Sequence, residues 1–475
     1  MEYEELASGA KLCALSLFSG GGIGDIALDW GEKIPVIAKC ELLNERASLL
    51  RSNYPSAKVF EGDIWELKGK ITSHVRNQLE NARPWIIISS PPCQGMSSNG
   101  AGKISDAIKK GLRSENDERN RLILPSIDII EDLMPDWFIF ENVPNMQNTV
   151  IPNENNSPEN ILEVLRRRLS ESYTIKSAVI DFADYGVAQN RKRLITIGCS
   201  LSEIRLMDDN PDLIFTKTPS YLHSALKVQS RLTLKDAISH LEPLDGRLKL
   251  SSLSEKLHSV PELNEEHYYW ISHTKEGDTA FNNLTCPSCK TNHEVPISKS
   301  EDMLLVICNS CETPLPRPSK IDSGWICLKC NTMNHNGEEI CLNGHSREKS
   351  SPTNFLRLIS GFNSSYRRMR WDEPCKTITQ NSGTFSSDGK GHPDQNRVLS
   401  LLEILLIQTI HSAPKTPVPW DGKYIFEFTT ESGEKIVPNK SLDSIIRDVV
   451  GESIPPLGLQ KIIQCLRQLE KKYCK

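Results

Sequence analysis

Three short runs hold residue types able to make and break bonds. Ser90-Pro91-Pro92-Cys93-Gln94-Gly95 sets a cysteine behind two prolines, Glu141-Asn142-Val143 offers a carboxylate, and Gln189-Asn190-Arg191-Lys192-Arg193 offers arginines at alternate positions. A lone cysteine is more often an inert core residue. One on a proline-stiffened loop at the end of a strand is a candidate nucleophile, and a carboxylate beside it points to chemistry on a ring. Bland readings stand next to these: Glu141 as a buried salt-bridge partner, and the arginines as one face of a solvated, extended edge.

A second set could hold a ligand. Ser19-Gly20-Gly21-Gly22-Ile23-Gly24 follows an apolar run, and glycines there let the backbone turn tightly and approach a ligand above a strand end. Glu41 ends the next apolar run, where a carboxylate accepts both hydroxyls of a ribose. Asp63 ends the third, placed for an adenine amino group. Either acid alone reads as a helix cap; the glycine turn and both acids together specify an adenosine site.

The cysteines divide the same way. Of the 14, half lie between Cys286 and Cys341 in close pairs, and the rest are scattered singly. That pattern favours a metal in a reducing compartment over a disulfide framework. Cys286-x-x-Cys289 and Cys308-x-x-Cys311 fit a tetrahedral four-thiolate zinc ribbon. Cys327-x-x-Cys330 with Cys341 and His345 forms a second candidate, in which His335 competes as fourth ligand. It resembles the Ran-binding-protein type of zinc finger, with a histidine in place of the last cysteine and one residue late. Relatives of that finger bind RNA or ubiquitin, so it settles no partner.

To position these residues the chain needs a doubly wound, mostly parallel α/β sheet. Short apolar runs at Ala14–Phe18, Val36–Lys39, Lys58–Phe60, Trp85–Ser89, Trp137–Glu141 and Arg193–Gly198 read as strands, with crossover helices such as Asn44–Asn53 and Ile161–Glu171 between them. The alternation stops after Cys199. Residues 1–200 are then a catalytic domain, 201–441 a smaller, irregular domain with a zinc-binding insertion at about 283–348, and 442–475 a segment returning to the first domain. Leu399–Ile410 reads as a buried helix, Tyr424–Thr429 as a strand, and Leu457–Lys471 as a last helix entered through Pro455 and Pro456; no internal repeat is evident. With 475 residues, 38% of them hydrophobic, the chain can bury a large core. It has no apolar run long enough to span a bilayer and no basic leader, which implies a cytoplasmic protein off the membrane. A net charge of −5 gives no global pull toward nucleic acid.

The order and content of these motifs resemble the cytosine-5 DNA methyltransferase family, over residues 12–200 and again over 367–456. Phe18-Ser19-Gly20 with Gly22 is similar to its cofactor loop, and Pro91-Pro92-Cys93-Gln94 to its nucleophile loop. Glu141-Asn142-Val143 is similar to its acid motif, and Gln189, Arg191 and Arg193 to its arginine motif. Asp117 and Arg119 followed by Leu122 resemble the intervening segment. Arg368, Pro374 and Thr377-Ile378-Thr379 resemble the motif that braces the recognition domain, and Gly451-Glu452-Ser453-Ile454-Pro455-Pro456 resembles the last cofactor motif. The departures are Ser16 in place of an Asp, Ile23 in place of a Gly and Glu452 in place of an Asn, the last of which puts a carboxylate near the methionine end of the cofactor.

The resemblance implies a Rossmann-like methyltransferase fold and S-adenosylmethionine held by Phe18, Ser19, Gly20, Gly22, Gly24, Glu41, Asp63, Ile64, Pro91 and Ser453. It implies catalysis by Cys93, Gln94, Glu141, Arg191 and Arg193, with Arg191 on the exocyclic oxygen of a flipped cytosine, and a zinc-bearing target-recognition domain. Double-stranded DNA is the expected partner, a restriction endonuclease acting on the same site is a family habit, and a monomer is the default. Three rivals remain: an RNA cytosine methyltransferase on the same scaffold, a catalytically dead zinc module, and a dehydrogenase. A dead module should lack Cys93, Glu141 or Arg191, all of which are present, and a dehydrogenase leaves that trio unexplained.

Overall fold

The computed structural model describes residues 3–92, 118–153, 157–205, 228, 230–247, 257–294, 306–327, 329–330, 333–335, 339–341, 343–347, 352–359, 365–387 and 389–474. The chain divides into two compact units. The first comprises residues 1–240, 372–380 and 403–475, and the second 241–371 and 381–402. The boundary expected near residue 200 therefore falls after His240, and two later stretches return to the first unit instead of one.

The first unit is built on a seven-stranded sheet. Its strands are β1 (Ala10–Leu17), β2 (Val36–Glu41), β3 (Lys58–Glu61), β4 (Arg83–Ser89) and β5 (Trp137–Asn142); a separate hairpin pairs β6 (Val150–Pro152) with β7 (Pro158–Asn160), and β8 (Thr174–Asp181) and β9 (Lys192–Cys199) complete the sheet. The order is β3-β2-β1-β4-β5-β9-β8, parallel from β3 to β5, with β9 antiparallel to both of its neighbours. This is the doubly wound, mostly parallel sheet expected. Strand order reverses between β1 and β4, so the loops after them, Ser19–Gly24 and Ser90 onward, flank the crevice where such folds bind ligands.

Runs such as Trp85-Ile86-Ile87-Ile88 are apolar at every position because both faces are covered. Ala14, Ile86, Ile88 and Ile139 point to one face, while Leu15, Ile87, Phe138 and Phe140 point to the other. The second face packs against α1 (Asn44–Asn53) and its neighbours α2 (Ile64–Gln78), α3 (Ile123–Leu133) and α4 (Ile161–Leu169) only in part: α2, α3 and α4 supply Ile71, Val75, Ile127, Ile130 and Leu165, whereas α1 packs Ala47 and Leu50 in a small cluster with Tyr54. The first face is closed by the last helix of the chain, and the residues that do so come in after α5 (Leu234–Ile238), α6 (Glu265–Ser272), α7 (Leu401–Ile407) and α8 (Leu442–Glu452). That helix, α9 (Pro456–Tyr473), buries Leu459, Ile462, Ile463, Leu466 and Leu469 there. It starts with Pro455 as its cap and Pro456 in its first turn, as anticipated. Its Glu470 Oε1 accepts the indole N–H of both Trp85 and Trp137 at 2.5 Å, which satisfies two buried donors on adjacent strands.

One expected strand is not formed. Tyr424–Thr429 forms no strand: α1 side chains take part of its backbone, Asn53 Oδ1 accepting from Ile425 N, Asn53 Nδ2 donating to Ile425 O and Ser48 Oγ donating to Thr429 O, and its end pairs only through an isolated bridge from Thr429 to Lys435.

In the second unit, α6 starts at Asn264, whose side chain accepts from His267 N, and packs Trp270 and Ile271 against Tyr366, Phe385 and Val398. Strands β10 (Ser319–Ile326), β11 (Met333–His335) and β12 (Pro352–Leu358) form a small antiparallel sheet with β10 in the centre. No helix among the described residues is long and apolar enough to cross a membrane.

Candidate active site and cysteine centres

The turn after β1 is strained and open. Phe18 has φ 56°, a left-handed conformation that costs a non-glycine residue roughly 1–2 kcal/mol. Gly20 and Gly22 follow at φ 56° and 76°. A Cβ on Gly22 would lie 2.6 Å from the Tyr54 ring and 2.7 Å from Leu50, whereas one on Gly20 would meet nothing within 4 Å. Gly22 is thus required by packing below, and Gly20 faces the space a ligand needs. Gly24 has only ordinary contacts, so packing does not demand a glycine there. Tyr54 and Tyr424 hold the turn from beneath by donating to Gly22 O and Gly21 O. The buried Lys39 ammonium, 2.6 Å from Asp25 and 3.7 Å above the Tyr54 ring, keeps that tyrosine in place.

Glu41 is buried at the end of β2. Its Oε2 accepts from Gly20 N at 2.9 Å and its Oε1 from Leu43 N at 3.0 Å, and burial pushes its carboxyl above the usual range. Each oxygen keeps a lone pair, so a ribose diol still has acceptors. Asp63 is exposed and caps α2 through Trp65 N at 2.9 Å; the cap reading holds for it whatever else it binds, and Ile64 behind it is buried. The sequence reading passed over Leu42, which is 63% exposed directly after Glu41. An apolar side chain held in the open beside that acid offers a face to a planar base, and its position immediately after a strand-terminal carboxylate is the signal that would have found it. These features fit S-adenosylmethionine: an open glycine turn, an acid for the ribose, and an apolar face for the adenine.

On the other side of the crevice, β4 leads into Ser90, whose N–H donates to Leu17 O, and Pro91, whose carbonyl accepts from Asn142 Nδ2 at 3.0 Å. Cys93 and Gln94 lie outside the described residues, as does Asp117. The stem of the cysteine loop is nevertheless clipped to β5 one residue from Glu141, and Asn142, missed as a functional residue, is the clip.

Glu141 is buried, and Arg193 Nε lies 2.8 Å from its Oε1. Register explains the pair: Glu141 is opposite Ile195, and Arg193 shares that face two residues earlier, which makes it the diagonal neighbour. Arg191 does not join them. Its N–H donates to Asp181 Oδ1, and its buried guanidinium donates to Ile378 O at 2.9 Å and Gly451 O at 3.0 Å. The two arginines do not share one face: β9 starts at Lys192, and Arg191, in the irregular segment before it, sends its guanidinium to Ile378 and Gly451 instead of Glu141. Arg193 is the arginine at the acid; Arg191 braces. Gln189 braces too, accepting from Ile378 N and donating to Gln408, which in turn donates to Ser453.

Gly451 sits where a Cβ would be 2.4 Å from Gln380 N and 2.5 Å from Thr379 C. Neither backbone atom can yield cheaply. Gly451→Ala is expected to lower stability by about 1–3 kcal/mol, read as a shift in the urea midpoint at constant slope. Glu452 follows, exposed, with Oε2 2.5 Å from Arg46 Nη2 and its other oxygen accepting from Gln380. Arg368, in the second unit, is buried and donates to the carbonyls of Thr274, Ile271, His392 and Gln395; burial lowers its pKa to about 10.

Both cysteine sets converge. The ligand atoms of Cys286, Cys289, Cys308 and Cys311 lie within 4.8 Å of one another, as do those of Cys327, Cys330, Cys341 and His345. Sulfur separations of 3.5 Å in the first set and 3.6 Å between Cys330 and Cys341 are far beyond a disulfide bond. They approach the roughly 3.8 Å that tetrahedral Zn–S bonds of about 2.3 Å require. His345 Nδ1 is 3.6 Å from Cys327 and Cys341; the side chain of His335 is outside the described residues. The first centre also contains a repeat that the sequence reading overlooked, Cys-x-x-Cys-x-Thr at 286–291 and 308–313. Lys290 and Glu312 are both left-handed, and each threonine reaches a serine of the other turn, Thr291 to Ser310 and Thr313 to Ser288. His293 Nε2, also unforeseen, lies 3.4 Å from Cys308 Sγ.

Comparisons with known proteins agree with this architecture. The family model described as C-5 cytosine-specific DNA methylase matches residues 12–467. The chain is 29% identical over 461 residues to the Type II methyltransferase M1.HgaI of Avibacterium volantium, covering 95% of this chain and 97% of that one. It is 21% identical to the Type II methyltransferase M.AgeI of Thalassovita gelatinovora, covering 70% and 76% respectively. Among solved structures, a DNA modification methyltransferase encoded within a prophage (E. coli) aligns over 97% of this chain and 100% of its own, with a TM-score of 0.50 at 17% identity, a likeness of fold alone.

Proposed function

Because the chain belongs to the C-5 cytosine-specific DNA methylase family and is a DNA cytosine-5 methyltransferase, we propose that Cys93, Glu141 and Arg193 divide the chemistry among them. The Cys93 thiolate adds to carbon 6 of a cytosine, while Glu141 delivers a proton to ring nitrogen 3, so the electron pair moves to carbon 5 as an enamine. Arg193 orients the Glu141 carboxyl and reaches the exocyclic oxygen, the role expected for Arg191. S-adenosylmethionine, bound over Gly20 and Glu41, supplies the methyl group that carbon 5 takes up. A base other than Glu141, or water, then removes the carbon 5 proton, the bond to Cys93 breaks, and the ring regains aromaticity. The target ring must leave the duplex for this, at an unstacking cost of roughly a few kcal/mol. Gln94, next to Cys93 in sequence, is assigned to the same chemistry, with Pro91 and Ser453 on the cofactor side.

The observation that carries the assignment is the Glu141–Arg193 pair, one residue from the Asn142 clip on the cysteine loop. Expression in a host without cytosine methylation, followed by base-resolution mapping of 5-methylcytosine, tests it. Methylation of one short DNA sequence is expected. Modified cytosine confined to RNA would overturn the proposed duplex substrate. The name Type II borne by the relatives supports a further reading, in which the target is shared with a restriction endonuclease; a monomer in the cytoplasm is proposed alongside it.

Each cysteine set is proposed to hold one Zn2+, which cross-links chain segments poor in apolar residues. Two zinc ions per chain are expected by elemental analysis. Structural zinc contributes apparently about 10–16 kcal/mol, comparable to the total stability of a domain. Chelation, or Cys286→Ser with Cys308→Ser, should therefore unfold the surrounding segment rather than loosen it, so that trypsin cuts at the already exposed Lys290 while the buried strands of the seven-stranded sheet stay protected.

A further inference from the structure

The two cysteine turns of the first centre are one structure used twice, over residues 284–293 and again over 306–315. Cys286 N–H donates to Thr291 O as Cys308 N–H does to Thr313 O, and Lys290 N–H to Cys286 O as Glu312 N–H does to Cys308 O. Thr285 bridges Asn292 where Ile307 bridges Pro314. Each turn is closed by its last residue, His293 N–H donating to Leu284 O and Leu315 N–H to Val306 O. The repeat therefore makes His293 and Leu315 counterparts. Leu315 is buried with Cys286 and Cys308, as an apolar side chain behind a ligand cluster should be. His293 is only 9% exposed, a polar ring in a place whose counterpart needs no more than a leucine. Burying such a ring costs free energy unless it is hydrogen-bonded. Sulfur supplies the bond: His293 Nε2 lies 3.4 Å from Cys308 Sγ. The ligand atoms that converge are those of the four cysteines, so the imidazole stands behind one of them and not among them.

We propose that His293 is a positioning residue of this centre, donating its Nε2–H to the Cys308 thiolate and so holding that ligand on the metal; this rests on the zinc reading above. Four thiolates carry more negative charge than one Zn2+ neutralises, and a donor aimed at one of them offsets part of the excess. It also fixes the direction of the sulfur and occupies a lone pair that an incoming electrophile would use, which slows the ligand's departure. The two halves of the repeat are then unequal. Cys308 has a polar partner behind it, and the corresponding place in the other turn holds only the aliphatic Leu315.

The test compares the full-length protein with His293→Leu, which copies the other turn, and His293→Gln, whose amide nitrogen keeps a donor near the Nε2 position. Competition with a zinc chelator reads the affinity. In cobalt-loaded protein the thiolate-to-metal charge-transfer absorption reads the hydrogen bond, because freeing a sulfur lone pair moves that band to longer wavelength. His293→Leu is expected to release one of its two zinc ions about 10- to 100-fold more readily, with the band displaced and the other ion unaffected. His293→Gln should stay within about threefold of the unmodified protein, with the band in place. Zinc held by His293→Leu with an unmoved band would make the imidazole a packing residue, and equal losses in both variants would make the ring, not its donor, the requirement. Either overturns the inference. If His293→Leu does not fold, the band of His293→Gln decides: unmoved supports the donor, and displaced overturns it. Metal uptake left unchanged by Cys286→Ser with Cys308→Ser would instead sink the zinc reading beneath it.

Discussion

Cys93→Ala is expected to reduce methyl transfer to background and to abolish covalent capture of DNA that carries 5-fluorocytosine at the target position. Addition of a thiolate to carbon 6 is what turns carbon 5 into a nucleophile, and no other described side chain near Pro91 can replace it: Glu141 is tied to Arg193, and Asn142 to the Pro91 carbonyl. With fluorine at carbon 5, methyl transfer leaves no proton to remove, so the unmodified enzyme stays bonded to its substrate and migrates as a heavier species in a denaturing gel. The variant should still bind the same duplex, since the loop's stem is held through Ser90, Pro91 and Asn142. Capture that survived the substitution would remove Cys93 from the mechanism.

Glu141→Gln is expected to lower kcat by about 10²- to 10⁴-fold, the usual worth of a positioned general acid, with a much smaller change in KM for DNA. Glutamine keeps the shape beside Arg193, but it cannot give a proton to ring nitrogen 3. Arg193→Ala should cost less in rate but should also destabilise the protein, because it leaves a buried carboxylate at Glu141 without its ion partner. Single-turnover kinetics separate the two cases from slow product release. Equal kcat losses in Glu141→Gln and Arg191→Ala would be uninformative alone, so the second is read by denaturation. Its guanidinium ties β9 to Ile378 and Gly451, and its loss should appear as a lower melting temperature.

What was legible in the sequence was whatever depends on local pattern. Four parallel strands, β1, β2, β4 and β5, are largely buried and read as mainly apolar runs, and the acids Glu41 and Glu141 follow from where two of those runs stop. Strand β8 was missed because Thr174-Ile-Lys-Ser-Ala-Val-Ile-Asp forms the half-buried edge of the sheet, where neither a continuous apolar run nor a clean alternation is needed. The division of labour between Arg191 and Arg193 was hidden for a different reason. It depends on where β9 begins: pairing with β8 starts at Lys192, so Arg193 is held on the strand beside Glu141 while Arg191, just before it, turns to Ile378 and Gly451. Arg46 and Glu452 were beyond reach for a third: they are distant in the chain, and only tertiary packing brings the two helix ends together. The cysteine spacing exposed both ligand clusters, whereas His293 behind Cys308 carries no spacing signature.

The closure of the sheet by α9 has a consequence in time. Ala14, Trp85, Ile86 and Trp137 are made early, yet their cover, Leu459 through Glu470, is made hundreds of residues later. At about 5–20 residues per second, roughly 20 to 90 s separate Ala14 from Leu459 on the ribosome. For that interval one side of a strongly apolar sheet has no lid, and two tryptophans lack their acceptor. The nascent chain is thus a natural client for a holding chaperone, and its yield in a cell should respond to chaperone supply and growth temperature more steeply than the stability of the finished enzyme does.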